Sequence, residues 1–259
     1  MDDLLAPPHR KTVRVWAVSD LHGIDPATLT VQPDGCDLAV IAGDLCPLPD
    51  WAIRTIDAQP YWLNVVLGEW AASRPNLHVV IVPGEYDVFM KRKNWENALS
   101  LPPNVHLLID DDVTVCGLRV YGSPWTPFSD MRFAFMANSE TKERQWFDCI
   151  PKGTDVLATH CPPLFEDRSF DVTLQFPTQR LVHHGSRALA DAIRRVNPTL
   201  CVFGHVHTGD HALTDISPDT ALRNVSLIDE DYRVAFRPAI IDVPIRPRPP
   251  CLGPTHPLS

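Results

Sequence analysis

The sequence has no run of eighteen apolar residues, so it lacks the hydrophobic segment that a membrane-spanning helix needs. The N-terminal segment MDDLLAPPHRK also lacks the basic region followed by an apolar region that marks a secretion signal. We therefore expect a soluble, cytoplasmic protein with no membrane partner. With 259 residues and 44% hydrophobic composition, the chain predicts one domain over residues 1–240 and an extended, proline-rich tail over residues 241–259.

Cysteine pairs and excess positive charge are absent as well. The seven cysteines include no C-x-x-C pair, which argues against a disulfide framework and against a zinc ribbon. Lysine and arginine total 23 against 32 acidic residues, and the resulting charge of −9 disfavours binding to extended nucleic acid. A small phosphate ester remains a candidate substrate, because bound divalent cations would reverse the local electrostatic field.

Five predicted strands are each followed directly by acidic or histidine side chains. The strands cover residues 12–18, 38–42, 77–82, 155–158 and 201–203. The side chains that follow them are Asp20, His22, Asp44, Glu85, His160, His205 and His207. His205 and His207 are two residues apart, so in an extended segment their rings point the same way. Open α/β sheets bind their ligands at the carboxyl ends of strands, and we therefore expect these side chains in one site.

These residue types indicate metal chemistry. Three carboxylates and four imidazoles are about what two divalent ions need when one carboxylate bridges them and positions stay open for water and substrate oxygens. Two such ions would neutralise phosphoryl oxygens and lower the pKa of a bridging water, so that hydroxide attacks at neutral pH. The pattern therefore predicts phosphoester hydrolysis.

The other predicted elements complete an α/β chain. Helical periodicity covers residues 50–74, where Pro60 should divide it in two, and residues 140–147 and 186–196. Residues 105–108 and 113–120 are predicted strands of a second sheet, and residues 224–228 and 233–236 are predicted terminal strands. Residues 121–127 are a predicted loop, and residues 164–184 a long surface loop over the site.

Short motifs in this order resemble those of the calcineurin-like metallophosphoesterase superfamily. They are D-x-H at Asp20, G-D at Asp44, P-G at Gly84, T-H-x-P-P at His160 and G-H-x-H at His205. The segment from Tyr121 to Trp125 and the short tail resemble the small MPPED-type metallophosphoesterase-domain proteins. The resemblance implies a four-layer α/β/β/α sandwich of two mixed β-sheets flanked by helices.

The resemblance also implies a dinuclear site, with manganese preferred over iron or zinc. By position, one ion would take Asp20, His22, Asp44 and His207, and the other would take Asp44, Glu85, His160 and His205. Asp44 would bridge the ions, and Asp44, Tyr86 and His205 would be the catalytic residues. The expected activity is that of a phosphodiesterase or phosphatase on a small phosphoester, with a nucleotide or cyclic nucleotide as the expected substrate.

One motif departs from the family pattern. Where the family has G-N-H-[DE], this chain has G-E-Y-D, so Glu85 replaces the asparagine ligand and Tyr86 replaces the histidine that serves the leaving group. Glu85 adds negative charge, which holds divalent ions but makes the bridging water less acidic. Tyr86 is a poorer proton donor than imidazole, yet its ring offers a face for a base. Two hypotheses follow: a hydrolase that prefers activated or cyclic esters, or a weakened metal- or nucleotide-binding module.

Three smaller features have two interpretations each. Cys46 is a soft neighbour of the metals or a packing residue, and packing is favoured. His183 and His184 contact phosphate or are a solvated loop pair, and the solvated pair is favoured. Ser123 and Trp125 shape the substrate pocket, or Trp125 anchors the second sheet. The signatures of the protein serine/threonine phosphatases are absent, which disfavours that branch.

Overall fold

The computed structural model describes residues 12–48, 57–127, 133–175, 178 and 180–247. The strands are β1 (Thr12–Val18), β2 (Leu38–Ala42), β3 (His78–Val82), β4 (Val105–Leu107), β5 (Asp111–Val115), β6 (Leu118–Ser123), β7 (Val156–Thr159), β8 (Val172–Gln175), β9 (Arg180–His183), β10 (Leu200–Phe203), β11 (Thr214–Ser217), β12 (Thr220–Asn224) and β13 (Ala239–Pro244). The α-helices are α1 (Ala58–Tyr61), α2 (Gly68–Ala72), α3 (Glu140–Asp148) and α4 (Arg187–Val196).

The first sheet has the spatial order β13-β1-β2-β3-β4. Strands β1 to β4 are parallel, and β13 pairs antiparallel with β1. The prediction that residues 105–108 belong to the second sheet is wrong, because β4 adds to β3 as the edge strand. The pairing of Thr12 with Pro244 carries this sheet past the tail boundary predicted at residue 240. The alternating burial of β13 is typical of an edge strand with one solvated face.

The second sheet has the order β11-β12-β10-β7-β6-β5, with antiparallel pairs at both edges and parallel pairs in the middle. Its β6 runs through residues 121–123, which corrects the predicted loop there. The predicted terminal strands are also shifted. Strand β12 ends at Asn224. Among the described residues 228–236, the only strand pairing is an isolated bridge between Ile228 and Val234.

Three hydrophobic cores hold four layers together. Alternate residues of β1 point to opposite faces, so Val15 packs between the two sheets while Trp16 packs under the helices of the first sheet. On the outer face of the second sheet, Phe147 of α3 and Leu189 and Ile193 of α4 cover Phe203 of β10. Two mixed sheets lie between two helical layers, which confirms the predicted four-layer α/β/β/α sandwich.

The helices differ from prediction in one respect. Helix α1, a π-helical stretch (Trp62–Leu67) and α2 form one continuous helical segment, although residues 50–56 of the predicted helix lie outside the described residues. Pro60 lies in the first turn, where its missing N–H costs nothing, and so it does not divide the segment. Ser186 caps α4 by accepting a hydrogen bond from the Leu189 amide, as predicted. None of the helices in the described part of the chain is long and apolar enough to cross a membrane.

The segment predicted as a long surface loop has structure of its own. Strands β8 and β9 pair antiparallel as a two-stranded hairpin. Phe165, Phe170 and Asp171 before the hairpin are buried, so this segment is tied to the body of the protein. Each strand of the hairpin has four residues, which is too short for a clear alternation of apolar and polar side chains to be visible in the sequence.

Candidate metal centre

The seven predicted ligand residues lie together where strands of both sheets end. Asp20 and His22 follow β1, Asp44 follows β2, Glu85 follows β3, His160 follows β7, and His205 and His207 follow β10. Their donor atoms form three groups within 4.8 Å: Asp20, His22 and His207; Asp20, Asp44 and His160; and Glu85, His160 and His205. Because the groups share Asp20 and His160, they form one continuous cluster.

Asp44 lies at the centre of this cluster. Its Oδ2 atom is 3.3 Å from Nε2 of His160 and 3.7 Å from Nε2 of His22. Its Oδ1 atom accepts a 2.9 Å hydrogen bond from the Tyr86 amide, which fixes the carboxylate plane. Two ligand atoms that bind the same ion, each at about 2.1 Å, lie roughly 3 Å from each other. One oxygen of Asp44 thus faces two imidazoles from different sheets, as a bridging ligand would.

Two further donor pairs lie at the ends of the cluster. Nε2 of His207 is 3.6 Å from Oδ1 of Asp20, and Nδ1 of His205 is 3.2 Å from Oε2 of Glu85. The His205 amide is 3.2 Å from both oxygens of Asp20, so the two halves of the cluster are also joined through the backbone. Each end therefore combines a carboxylate with an imidazole.

Several buried polar atoms of the cluster have no hydrogen-bond partner among the described residues. They are both ring nitrogens of His22, Nε2 of His160 and Oε2 of Glu85; the charged groups 3.2–3.7 Å from three of these atoms are not in hydrogen-bonding geometry. Each such atom costs about 1–3 kcal/mol when it is left without a partner. Cations bound between these atoms would remove that cost. The residues present therefore fit divalent metal ions, with carboxylate and imidazole donors and no thiolate.

Backbone carbonyls orient two of the imidazoles. Nδ1 of His160 is 3.3 Å from the Ala42 carbonyl oxygen, and Nδ1 of His207 is 3.1 Å from the Asp229 carbonyl oxygen. A proton on each Nδ1 satisfies the carbonyl and leaves the lone pair of Nε2 directed into the cluster. This role of Asp229 was not predicted, because a backbone acceptor leaves no residue-type signal in a sequence.

The backbone is strained at four of the seven positions. Asp20, His22, Asp44 and His205 have φ of 56°, 43°, 48° and 66°, in the left-handed region. This conformation costs roughly 1–3 kcal/mol for a residue other than glycine, and it tends to occur at functional sites. The strain is what turns these side chains from the strand ends into the cluster.

Two glycines of the motifs allow close approach to the carboxylates. A Cβ atom at Gly84 would overlap the carboxylate and amide of Asp44. A Cβ atom at Gly204 would overlap the Asp20 carboxylate and the Ser19 hydroxyl. The glycines of P-G and G-H-x-H are therefore required by the space that the carboxylates occupy.

The charges in the cluster shift its pKa values. Burial by itself would lower the pKa of His160, but the Asp44 carboxylate, assisted by Asp20 and Glu85, raises it to about 10. Burial would raise the pKa of Asp44, but the neighbouring His160 holds it below its usual value. Burial lowers the pKa of His22. The Asp44 carboxylate is thus anionic, and without metal a proton on His160 supplies part of the missing positive charge.

Asp87 braces the loops that carry two of the ligands. This buried carboxylate accepts hydrogen bonds from the amides of Gly84, Leu45 and Cys46 at 2.7, 3.2 and 2.9 Å. Burial and the charge of Asp44 raise the pKa of Asp87 to about 6. No role was predicted for Asp87, although the acidic residue that closes the G-E-Y-D turn was the available signal.

Two tyrosines cover the cluster. The hydroxyl oxygens of Tyr86 and Tyr232 are 3.3 Å apart, and both rings meet the His22 ring edge-on at centroid distances of 5.4 and 5.1 Å. Phe133 packs on Tyr86 at 4.6 Å. Burial raises the pKa of Tyr86 well above its usual value, so its hydroxyl stays protonated at neutral pH. Tyr232 was missed from the sequence, where no motif includes it.

A cavity of about 410 Å³ opens beside Glu85 and His205. Its other lining residues are Tyr86, Thr126, Pro127, Phe133, Met136, His183, His184 and Gly185. His183 and His184, interpreted from the sequence as a solvated loop pair, are both exposed, and both line this cavity. The β8–β9 hairpin places them next to the candidate ligands.

The remaining predicted residues have structural contacts. The Trp125 ring stacks on Trp146 with centroids 3.4 Å apart, and its Nε1 donates to Asp110 at 2.5 Å. The Ser123 hydroxyl donates to the same carboxylate at 2.7 Å. Neither residue is among those that line the cavity, which agrees with the anchoring role weighed for Trp125. Cys46 packs in the core under the first sheet, and burial raises the pKa of its thiol.

Comparison with known proteins agrees with this fold and site. The model of the calcineurin-like phosphoesterase family matches residues 13–209. The chain belongs to this family, whose members are metal-dependent phosphoester hydrolases.

Two curated relatives match nearly the whole chain. Metallophosphoesterase domain-containing protein 1 of Homo sapiens is 30% identical over 92% of this chain and 73% of its own length. UPF0046 protein C25E10.12 of Caenorhabditis elegans is 27% identical over 93% of this chain and 84% of its own length. The resemblance to MPPED-type proteins is confirmed.

A solved structure supports the fold. The protein TT1561 of Thermus thermophilus superposes with a TM-score of 0.52 at 15% identity, over 91% of this chain and 100% of that one. At this identity the likeness concerns the fold alone.

Proposed function

We propose that this protein is a dinuclear, metal-dependent phosphodiesterase or phosphatase that hydrolyses a small phosphoester, such as a nucleotide or cyclic nucleotide. The observation that carries the proposal is the position of Asp44. One of its oxygens faces His22 of the first sheet and His160 of the second at 3.7 and 3.3 Å. A carboxylate shared between two donor sets is what a pair of ions needs.

Two ligand sets follow from the clustered donors. We assign Asp20, His22, Asp44 and His207 to one ion, and Asp44, Glu85, His160 and His205 to the other. Mixed carboxylate and imidazole donors without a thiolate suit manganese, with iron and zinc as competitors. When bound, the ions supply positive charge for phosphoryl oxygens and acidify water.

The residues around the ions orient the substrate. The cavity beside Glu85 and His205 has about 410 Å³, within the usual range for small-molecule sites. The rings of Tyr86 and Phe133 in its lining offer an aromatic face on which a nucleobase can stack. His183 and His184, which also line the cavity, offer polar nitrogens to a phosphate or sugar. This arrangement of apolar and polar walls supports a nucleotide-sized ester.

The non-enzyme alternative rests on Glu85 and Tyr86. Glu85 adds a negative charge beside His205, and Tyr86 has a raised pKa where the family has a histidine. Both changes act against catalysis without acting against binding. A metal-loaded nucleotide-binding module of the same fold is therefore the second hypothesis.

Turnover of bis-4-nitrophenyl phosphate with manganese separates these two hypotheses. We expect a rate above that of manganese alone, and we expect Asp44→Asn to lose at least about 100-fold of it, because the variant removes the shared charge. No rate above the metal background, with nucleotide binding retained in a calorimetric titration, would contradict the hydrolase and favour the binding module.

A further inference from the structure

Hydrolysis of an ordinary ester leaves an alkoxide or phenoxide that needs a proton. The family places a histidine for this at the position of Tyr86. Here the Tyr86 hydroxyl lies 3.3 Å from the Tyr232 hydroxyl, and a phenol is a much weaker acid than an imidazolium. A proton donor of that strength contributes little at neutral pH. Another group must serve the leaving group if unactivated esters are substrates.

His183 is held in the geometry of a proton donor. It is the last residue of β9, and its Nδ1 lies 2.9 and 3.1 Å from the two oxygens of Asp171. A carboxylate only accepts hydrogen bonds, so Nδ1 carries a proton and donates a hydrogen bond to Asp171. Asp171 is completely buried and also accepts a 3.1 Å hydrogen bond from the Gly185 amide. This carboxylate therefore fixes the orientation of the ring and provides a counter-charge for an imidazolium.

The second ring nitrogen of His183 has no hydrogen-bond partner within the part of the chain that the structure describes. The ring lines the same cavity as Glu85, Tyr86 and His205. The adjacent His184 differs in its partner, because its Nε2 contacts the Thr173 hydroxyl at 2.7 Å and not a carboxylate. Of the two histidines that line the cavity, His183 is the one whose ring is held by a buried carboxylate.

We propose that His183, oriented by Asp171, is the general acid that protonates the leaving group. The inference rests on the proposed hydrolase function. As the bond between phosphorus and the leaving oxygen breaks, its electron pair stays on that oxygen, which takes the proton from Nε2 of the imidazolium. The neutral imidazole then takes a proton from solvent, and Asp171 remains a carboxylate throughout. His183 thus does the work that the substitution at position 86 removes.

Leaving-group dependence tests this role. Manganese-loaded wild type and His183→Asn are compared on methyl 4-nitrophenyl phosphate and methyl phenyl phosphate. Nitrophenoxide leaves without a proton, whereas phenoxide, whose conjugate acid has a pKa of about 10, gains from one. The asparagine amide takes the position of Nδ1 and keeps the hydrogen bond to Asp171, so only the proton at Nε2 is lost.

We expect His183→Asn to lose about 100-fold in kcat on the phenyl ester and less than about threefold on the nitrophenyl ester. The matched control is His106→Asn, at a half-buried histidine on β4 paired with His78, which should behave as wild type on both esters. Melting temperature and manganese content verify folding, and His183→Gln serves if the first variant does not fold.

Equal losses on both esters would overturn the general-acid role, because a purely structural role lowers both rates together. Unchanged rates on both would overturn it as well. A wild-type protein that hydrolyses neither ester would overturn the proposed function and this inference with it. In the two outcomes above the wild-type protein does hydrolyse the esters, so the failures are distinguishable.

Discussion

Substitution of Gly204 by alanine is predicted to displace Asp20 and weaken binding of one metal ion. Gly204 is held by a 3.0 Å hydrogen bond from its amide to the His160 carbonyl oxygen, and its Cα faces Ser19 and the Asp20 carboxylate. An added methyl group overlaps both side chains. Reaching ordinary van der Waals separation requires a shift of more than about 1 Å.

The magnitude follows from this shift. Metal-ligand distances tolerate about 0.2 Å, so a displacement of roughly 1 Å removes Asp20 as an effective ligand. We expect the affinity of the ion it holds to fall by at least about 100-fold, which is about 2.7 kcal/mol. Overpacking costs a further 1–3 kcal/mol or so of unfolding free energy, and at about 2–4 °C per kcal/mol the metal-free melting temperature should fall by several degrees.

Calorimetric titration of the metal-free variant with manganese measures the effect. The matched control is Gly68→Ala, where the nearest atom to the new Cβ is the Leu63 carbonyl oxygen at 3.4 Å and no candidate ligand is close. The control should bind both ions as wild type does. If Gly204→Ala also binds two ions with wild-type affinity, the close approach of Gly204 and Asp20 is not what the site requires.

Four further predictions test other parts of the site. Chelation of manganese should lower the melting temperature by about 10–20 °C relative to protein with free manganese at 100 times its Kd. At that concentration each of the two sites contributes about 2.7 kcal/mol to the free energy of unfolding, and an unchanged melting curve would argue against resident ions. The pKa of His160 is about 10 in the metal-free protein, so below about pH 6.5 its protonated form fully stabilises the folded, metal-free protein. This stabilisation is lost as the pH rises toward 10. Manganese binding at pH 7.5 should therefore release about one proton, measured by calorimetry in buffers of different ionisation enthalpy, and no release would contradict the charge exchange. Asp87→Ala, which leaves three amides without an acceptor, should lower the unfolding free energy by about 3 kcal/mol in urea, and a loss below about 0.5 kcal/mol would remove its bracing role. Tyr232→Phe should alter kcat less than about threefold on nitrophenyl esters, and a larger loss would assign its hydroxyl to catalysis.

The parts predicted from sequence share a physical basis. Apolar runs buried on both faces leave few alternatives to a strand, so β1, β2 and β3 were predicted to within a residue. Because parallel strands place their carboxyl ends at one edge, the seven candidate ligand side chains were expected together, and the structure brings them together. The resemblance added the layer order, which periodicity alone does not give.

The parts that were not predicted depend on tertiary contacts. Strand β4 has three residues, and its sheet is set by which neighbour it meets rather than by its own sequence. The β8–β9 hairpin is similarly short and exposed, so its pattern is weak, and with it the positions of His183 and His184 were missed. Tyr232 lies in a loop beside the cluster, and its own backbone is strained, with φ of 59°. No local sequence motif indicates this conformation.

Anomalous diffraction from manganese-soaked crystals tests the central claim most directly. Two peaks should flank the Asp44 carboxylate, one beside His22 and the other beside His160. A single peak away from Asp44, or none within the cluster, would contradict a shared carboxylate between two ions and the hydrolytic function proposed from it.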